Sequence, residues 1–190
     1  MNILGLITSR AGSKRIPGKN MKLLGGKPLV EYTWDAARQS SLADSLMVST
    51  DDDEMLQYFA DKKIGVVRRP EWLARDRTPH LPVVIHAVEH CAFDPDAVMI
   101  LQPTSPFRKW FHINEAIRIL EQKGLDSLVS VEPSGKRNGA IYLFRTAMVF
   151  SKEPTFFSKD NGIEYPMSAR ESTNIDTPED WTSAEDVLKL

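Results

Sequence analysis

Six apolar runs alternate along the chain with segments whose apolar residues recur at three- and four-residue intervals. Residues 2–8 (NILGLIT) are apolar without alternation, the pattern of a strand buried on both faces. Leu29, Tyr32, Thr33, Ala36 and Ala37 then share one face of a helix over 28–40. SLMVST (45–50) predicts a second buried strand. DDDEMLQYFADKK (51–63) predicts a helix with acids in its first turn and lysines in its last, both favoured by the helix dipole. IGVVRRP (64–70) is a third strand stopped by Pro70, and LPVVIHAVEHCA (81–92) a helix with proline near its first turn. AVMILQPTSP (97–106) is a fourth strand running into a proline-rich loop, followed by an amphipathic helix, FHINEAIRILEQKG (111–124), closed by Gly124. SLVSV (127–131) and GAIYLF (139–144) are strands, and DTPEDWTSAEDVLKL (176–190) is a closing helix with Pro178 at its start.

Strands alternating with helices imply a mostly parallel sheet covered on both faces, an α/β three-layer fold. With 190 residues, 42% of them hydrophobic, and no repeat, low-complexity tract or linker, residues 1–190 are expected to form a single domain. Ligands of such sheets sit at the carboxyl ends of the strands. The loops TSRAGSKRIPGKN, STDDD, RRPEWLARDRTPH and QPTSPFRK are therefore expected to converge on one edge. The 24 basic and 26 acidic residues are interspersed and sum to a net charge of −2, which excludes the global positive field that gathers nucleic acid or anionic membrane. Any anion site must be local. One cysteine, Cys91, excludes an internal disulfide framework and fits a reducing compartment; it is expected to be a buried small residue on a helix. The apolar stretch near Met1 spans six residues, too short for a signal-peptide core or a membrane span, so a soluble, cytoplasmic protein is expected.

The strongest local signal is SRAGSKRIPGKN (9–20), which carries Arg10, Lys14, Arg15 and Lys19 directly behind the first strand, with Lys22 just beyond. It nearly spells a P-loop. Five residues, not four, separate Gly12 from Gly18-Lys19, and Asn20 stands where the P-loop has its Mg²⁺-binding hydroxyl. No G-x-G-x-x-G surrounds Gly12, so the dinucleotide fingerprint is absent as well. A loop this cationic after the first strand points to a triphosphate. Gly12 lets backbone N–H groups approach phosphate oxygens, and Arg10 and Lys19 neutralise charge on the leaving phosphates. Other signals are weaker. His86, Glu89 and His90 spell H-x-x-E-H, but no third metal ligand is evident. Tyr32, Trp34 and Phe59 are expected in the core, Trp72 and Trp110 in or beside ligand loops, and His112 at the surface.

RAGSKRIPGKN, GGKPLVEYTWDAA, VSTDDDEM, RRPEWLARD, LQPTSPFR, NGAIYLF and NIDTPEDW resemble, in order and spacing, the acylneuraminate (CMP-sialic acid) cytidylyltransferase family, with its relatives acting on other nonulosonic and ulosonic acids. The resemblance runs from Met1 to about Ser130 and resumes at Asn138. It implies a Rossmann-like nucleotidyltransferase sheet. It also implies a CTP-using, Mg²⁺-requiring enzyme that transfers CMP to an anionic acceptor, a sialic-acid-like nonulosonic acid, and releases pyrophosphate. On this chain, Arg10, Ala11, Gly12, Ser13 and Lys19 would hold the phosphates, with Arg10 and Lys19 stabilising the transition state. Asn20 would reach the nucleoside and Arg69 the cytosine, while Thr50 and Asp51 would lie near the ribose or the metal. The resemblance makes Gln102, Thr104 and Ser105 an acceptor-side loop, gives Arg108 an acceptor carboxylate or phosphonate, and sets Asn138 and Tyr142 beneath the acceptor.

Two departures from the family pattern matter. The family's metal site uses a D-x-D pair before the last helix; here the positions are Asn174 and Asp176, one carboxylate fewer, with Asp176 also in the expected catalytic set. The same STNIDTPED stretch reads equally as a helix cap, with Asp176 or Thr177 at the N-cap and Pro178 next. Between Val131 and Asn138, where the family inserts a long excursion contributing to dimerisation and the sugar pocket, this chain has only EPSGKR. A homodimer would lack its usual interface segment, and a small phosphonate or phosphonocarboxylate becomes an alternative acceptor. A non-catalytic nucleotide-binding regulatory domain is the alternative of another class. His80 and Pro82 stand where relatives often carry small hydroxyl residues.

Overall fold

The apolar runs lie side by side in the computed structural model, which describes residues 1–42, 45–62, 65–75 and 77–189. β1 (Ile3–Thr8) is followed by a short hairpin, β2 (Leu23–Leu24) and β3 (Lys27–Pro28), and by α1 (Leu29–Arg38). β4 (Leu46–Thr50), α2 (Asp53–Ala60) and β5 (Gly65–Arg68) come next, then the single turn α3 (Glu71–Ala74) and α4 (His80–Glu89). β6 (Ala97–Leu101) precedes α5 (Trp110–Lys123), the hairpin of β7 (Ser127–Val131) and β8 (Arg137–Arg145), β9 (Gly162–Pro166) and α6 (Pro178–Lys189). The main sheet has seven strands in the order β5-β4-β1-β6-β8-β7-β9. β5, β4, β1 and β6 are parallel, as are β7 and β9, and β8 alone is antiparallel to its neighbours. The carboxyl ends of six strands and the amino end of β8 thus form one edge, as expected of a mostly parallel α/β sheet.

Burial on both faces of β1 divides its side chains between two cores. Ile3 and Ile7 pack with Trp34, Phe59, Ile113 and Leu120 from α1, α2 and α5. Leu4 and Leu6 pack with Val84 and Ala87 of α4 and with Phe144. A third cluster sits apart: Ile16, Leu24, Leu29 and Phe107 meet Ile175, Trp181 and Ala184, which docks α6 beneath the loop that follows β1. No helix among the described residues is long and apolar enough to cross a membrane.

The differences from the sequence-based expectations are local. α2 ends at Ala60, before the lysines, and Lys62 instead donates to Glu31 and Tyr58. The expected end of that helix at Lys63 and start of the next strand at Ile64 lie outside the described residues, as do Asp76 of the third loop and Leu190. β8 begins at Arg137, and β2, β3, α3 and β9 are additional elements. Gly25 and Gly26 close the β2–β3 hairpin at φ 55° and 84°, the paired positive values of a type I′ turn. Cys91 lies just past the end of α4 and is only half-buried. His112 is a correction in the other direction: it is buried, its Nδ1 accepting from the Lys109 N–H at 3.0 Å and its Nε2 lying 3.3 Å from Glu171.

EPSGKR forms a tight turn between β7 and β8, with the N–H of Glu132 donating to the Lys136 carbonyl at 2.8 Å. Two residues past it, Gly139 has φ 77°, and a Cβ there would lie 2.4 Å from Gln102 Oε1. Gly139→Ala is therefore expected to cost about 1–3 kcal/mol, from the left-handed backbone and the displaced glutamine together. A urea titration reads this as a lower midpoint at unchanged slope; an unchanged midpoint contradicts it.

Candidate active site

The loops leaving β1, β5 and β6, with the approach to α6, enclose a cavity of about 630 Å³ at the carboxyl edge of the sheet. Arg10, Gly12, Ser13, Lys19 and Asn20 line it from the first loop, Arg69 from the exit of β5, Gln102 and Thr104 from the exit of β6, and Asp176 from the segment before α6. Distant parts of the chain are brought together as the strand-end rule requires.

The first loop is folded by its own polar groups. The N–H of Ser9 donates to the Ser49 carbonyl at 3.0 Å and that of Ala11 to Asp51 Oδ1 at 3.1 Å. Asn20 Nδ2 donates to the Arg10 carbonyl at 3.1 Å, closing the loop on itself. Lys19, only 9% exposed, reaches across to the other wall and donates to the Ile175 carbonyl at 2.7 Å and to Asp176 Oδ1 at 3.0 Å. Arg69 is fixed from below: Nη2 donates to the Ser49 carbonyl at 2.9 Å and Nε to Ser49 Oγ at 3.3 Å. Burial, aided by the Arg10 charge and opposed by Asp51, pushes the Arg69 guanidinium down to about 10, so it stays protonated at neutral pH. His80, at the start of α4, also lines the cavity. Desolvation by the surrounding wall and the Arg69 and Arg10 charges hold its pKa below the usual histidine value, so at pH 7 it offers one donor and one acceptor.

The helix cap expected before α6 is present. Thr177 Oγ1 accepts from the Asp180 N–H at 3.2 Å, while Asp180 Oδ2 accepts from the N–H groups of Asp176 and Thr177 at 2.9 and 2.8 Å. This reciprocal cap sets Thr177 at the N-cap and leaves the Asp176 side chain to the cavity. Although burial alone would raise it, the Asp180 carboxyl is held below its usual range by those two N–H groups. Asn174 Nδ2 donates to Asp176 Oδ2 at 2.6 Å, and Asn174 Oδ1 is buried without a hydrogen-bond partner. As placed, the amide turns its Nδ2 toward the half-exposed carboxylate and Asn174 does not line the cavity, so rotation of the amide is needed for Oδ1 and Asp176 to fit one hard divalent cation, with phosphate oxygens and water as its remaining ligands. Among the described residues no cluster of three His, Cys, Asp or Glu side chains is placed to hold a metal by itself, His86, Glu89 and His90 included.

The remaining expected residues do not line the cavity. Ala11 contributes its N–H to Asp51. Asp51 therefore anchors the loop, and Thr50, fully buried, accepts from the Asp52 N–H through Oγ1 and from the Arg69 N–H through its carbonyl. Asn138 has its side chain engaged, Oδ1 with Ser130 Oγ and the Ala140 N–H, and Nδ2 with Ser172 Oγ. Tyr142 pairs with Ile100 in mid-sheet and packs in the α4-side core. Ser105 and Arg108 are buried behind the wall that Gln102 and Thr104 form. In their place the cavity adds Lys14, Arg15, Arg75, Thr78 and His80. The charge of Lys14 and Arg15 is plain in the sequence, and Arg75, Thr78 and His80 belong to RRPEWLARDRTPH, one of the loops expected at this edge.

Comparison with known proteins bears on this geometry. Residues 4–177 match the family model described as cytidylyltransferase. The chain is 34% identical to the CMP-N,N'-diacetyllegionaminic acid synthase of Legionella pneumophila over 232 aligned positions, which take in 100% of this chain and 97% of that protein. It is 31% identical to the N-acylneuraminate cytidylyltransferase of Escherichia coli O18:K1:H7, with 86% of this chain aligned but only 40% of that longer protein. Among solved structures, a CMP:2-keto-3-deoxy-manno-octonic acid synthetase complexed with CTP superposes with a TM-score of 0.81 at 15% identity, covering 100% of this chain and 99% of the other. The manganese complex of Rv0371C from Mycobacterium tuberculosis H37Rv superposes at 0.74, also at 15% identity, over 98% and 99%. At that identity these two likenesses establish the Rossmann-like nucleotidyltransferase fold. The match over nearly the whole sequence adds the family, in agreement with the resemblance of the motifs, and the chain belongs to the cytidylyltransferase family.

Proposed function

We propose that the protein is a CTP-dependent cytidylyltransferase that transfers CMP to a nonulosonic acid and releases pyrophosphate. The observation that carries this is the buried Lys19, set by the first loop and fastened to Asp176 across a cavity lined by cations. All of Arg10, Gly12, Ser13, Lys19, Asn20, Arg69 and His80 line that cavity, where the first loop's Arg10, Gly12, Ser13 and Lys19 would hold the phosphates and Arg69, His80 and Asn20 the nucleoside. A pyrimidine needs donors for its O2 and N3 and an acceptor for its 4-amino group, which a guanidinium and a neutral imidazole can share. The attacking acceptor hydroxyl forms a bond to the α-phosphorus as the α,β-bridging P–O bond breaks in line with it. Its proton has one carboxylate in the described cavity wall to go to, that of Asp176.

Little covalent work falls on the protein, so positioning and charge neutralisation by Lys19 and Arg10 supply most of the rate. Mg²⁺, held by Asp176 and Asn174 Oδ1, would neutralise triphosphate oxygens and leave the α-phosphorus more electrophilic. The near-complete alignment with the Legionella CMP-N,N'-diacetyllegionaminic acid synthase supports a nonulosonic acceptor.

Lys19→Met is expected to lower pyrophosphate release with CTP and a nonulosonic acid on the order of a hundredfold, the usual cost of removing one preorganised charged contact from a transition state. A phosphate-release assay coupled to pyrophosphatase measures it, and unchanged turnover removes Lys19 from the mechanism. Wild-type turnover with a small phosphonate but no nonulosonic acid would reassign the acceptor. Removal of divalent cations by chelation is expected to stop the reaction, and Mg²⁺ to restore it. Asn174→Asp, by adding a second carboxylate, should lower the Mg²⁺ concentration needed for half-maximal rate by about tenfold. A metal titration of both proteins decides whether position 174 touches the cation.

A further inference from the structure

Between β9 and α6 the chain crosses the carboxyl edge of the sheet as a strap, residues 167–176, without helix or strand. The strap carries both acceptors of Lys19, the Ile175 carbonyl and the Asp176 carboxylate. Met167 and Ile175 bury its ends in two different apolar clusters. Every residue from Ser168 to Asn174 is half-buried or exposed, so between those ends apolar packing does not fix the course of the segment, and polar contacts must. Ser172 Oγ accepts from Asn138 Nδ2 at 3.0 Å, Arg170 Nη2 donates to the Val187 carbonyl at 3.3 Å, and Glu171 faces His112.

Of these partners His112 is held most firmly. It lies in the first turn of α5, 4% exposed, and its Nδ1 accepts from the Lys109 N–H at 3.0 Å. An acceptor at Nδ1 puts the ring hydrogen of a neutral imidazole on Nε2, which stands 3.3 Å from Glu171 Oε1. Burial, aided by the Arg108 charge and opposed by Glu171, holds the His112 pKa below the usual histidine value, so the ring is neutral at pH 7. Glu171 is turned toward it, Oε2 accepting from Ser168 Oγ at 2.7 Å. Although burial alone would raise it, the Glu171 carboxyl is kept below its usual range by that hydroxyl and the His112 ring. The imidazole thus spends one nitrogen on the start of α5 and the other on the strap. Four residues beyond Glu171, the Ile175 N–H donates to the Thr104 carbonyl at 2.8 Å while its own carbonyl accepts from Lys19. A strap released at Glu171 would lose its guide just ahead of the two groups that hold the lysine.

We infer that His112 is a positioning residue for Lys19, setting the strap through Glu171 so that the Ile175 carbonyl and Asp176 meet the ammonium. The inference rests on the CMP-transfer function above, in which Lys19 neutralises phosphate charge. H112N keeps an acceptor near the place of Nδ1 but is too short to reach Glu171, and H112Q brings an amide N–H to the place of Nε2 but leaves the Lys109 N–H without its acceptor. With CTP and a nonulosonic acid, H112N is expected to lower kcat about tenfold and leave the acceptor KM within about twofold. Hydrogen exchange of residues 168–177 should quicken in it, with the first turn of α5 exchanging as in wild type. H112Q should keep kcat within about threefold of wild type and quicken exchange at the start of α5 instead. A histidine that serves only the helix start predicts the converse, with H112Q impaired and H112N turning over as wild type. That result, or a slower H112N whose strap exchanges at the wild-type rate, overturns the inference while the proposed function stands. E171A breaks the same contact from its more exposed side and is expected to match H112N, with the double variant no worse than either single one. Wild-type kcat in E171A overturns the inference even if neither histidine variant folds. Wild-type protein that releases no pyrophosphate with any nonulosonic acid overturns the function and this inference with it.

Discussion

The site depends on one contact, the reach of Lys19 from the loop after β1 to Ile175 and Asp176 before α6. The two segments are more than 150 residues apart in sequence, and the apolar cluster of Ile16, Leu24, Leu29, Ile175 and Trp181 docks them. Packing supplies the docking energy and the lysine the register. A buried ammonium needs acceptors, and those it finds are a carbonyl and the carboxylate that the α6 cap presents. The cap, the loop and the cluster are therefore mutually dependent. Asp180 holds the N–H groups of Asp176 and Thr177, which turns the Asp176 side chain toward Lys19.

Much of this was legible in the sequence, for reasons that differ by element. β1, β4 and β6 are continuous apolar runs, because a central parallel strand is covered on both faces, and their short length between turn residues favours a strand over a buried helix. The loop after β1 stands out through charge density, and Asp176 or Thr177 ahead of Pro178 announces a cap, while the part of Asp180 appears only in the structure. β9 was not legible: Ile163 and Tyr165 give one alternation between Gly162 and Pro166, and the strand exists because β7 offers it a parallel edge. The sequence also could not say where polar side chains are spent. Asn138 looks free to meet a ligand until Ser130, Ala140 and Ser172 are placed around it. His112 looks like a surface residue until Lys109 and Glu171 enclose its ring. Burial of polar groups is a tertiary property, set by partners far along the chain.

The same distinction separates residues that touch the cavity from residues that build it. Asp51, Thr50 and Asn138, all chemically plausible ligands, hold main-chain N–H groups that fix the loop or β8. Short polar side chains at strand ends compete for backbone groups, and at this sheet edge the backbone has won. The long side chains, Arg10, Lys19, Arg69 and Gln102, reach the cavity, Lys19 and Arg69 while still donating to main-chain carbonyls.

How the buried cations are held explains why the cavity remains positive. Arg69 is anchored on the Ser49 carbonyl and hydroxyl and Lys19 in part on the carbonyl of Ile175, while Arg108, outside the cavity lining, is held in the same way by the carbonyls of Ala140 and Gln102. A carboxylate would orient such side chains as well but would cancel their charge. A carbonyl dipole orients the donor and leaves almost the full charge for whatever binds. The arrangement costs stability in the empty protein, visible in the lowered pKa values of Arg69 and Arg108. For Arg69 the desolvation has been met during folding, so a ligand that enters the cavity meets a guanidinium already held in place. Asp176 is the exception, a carboxylate on Lys19, and it offsets part of that ammonium's charge at the cavity wall.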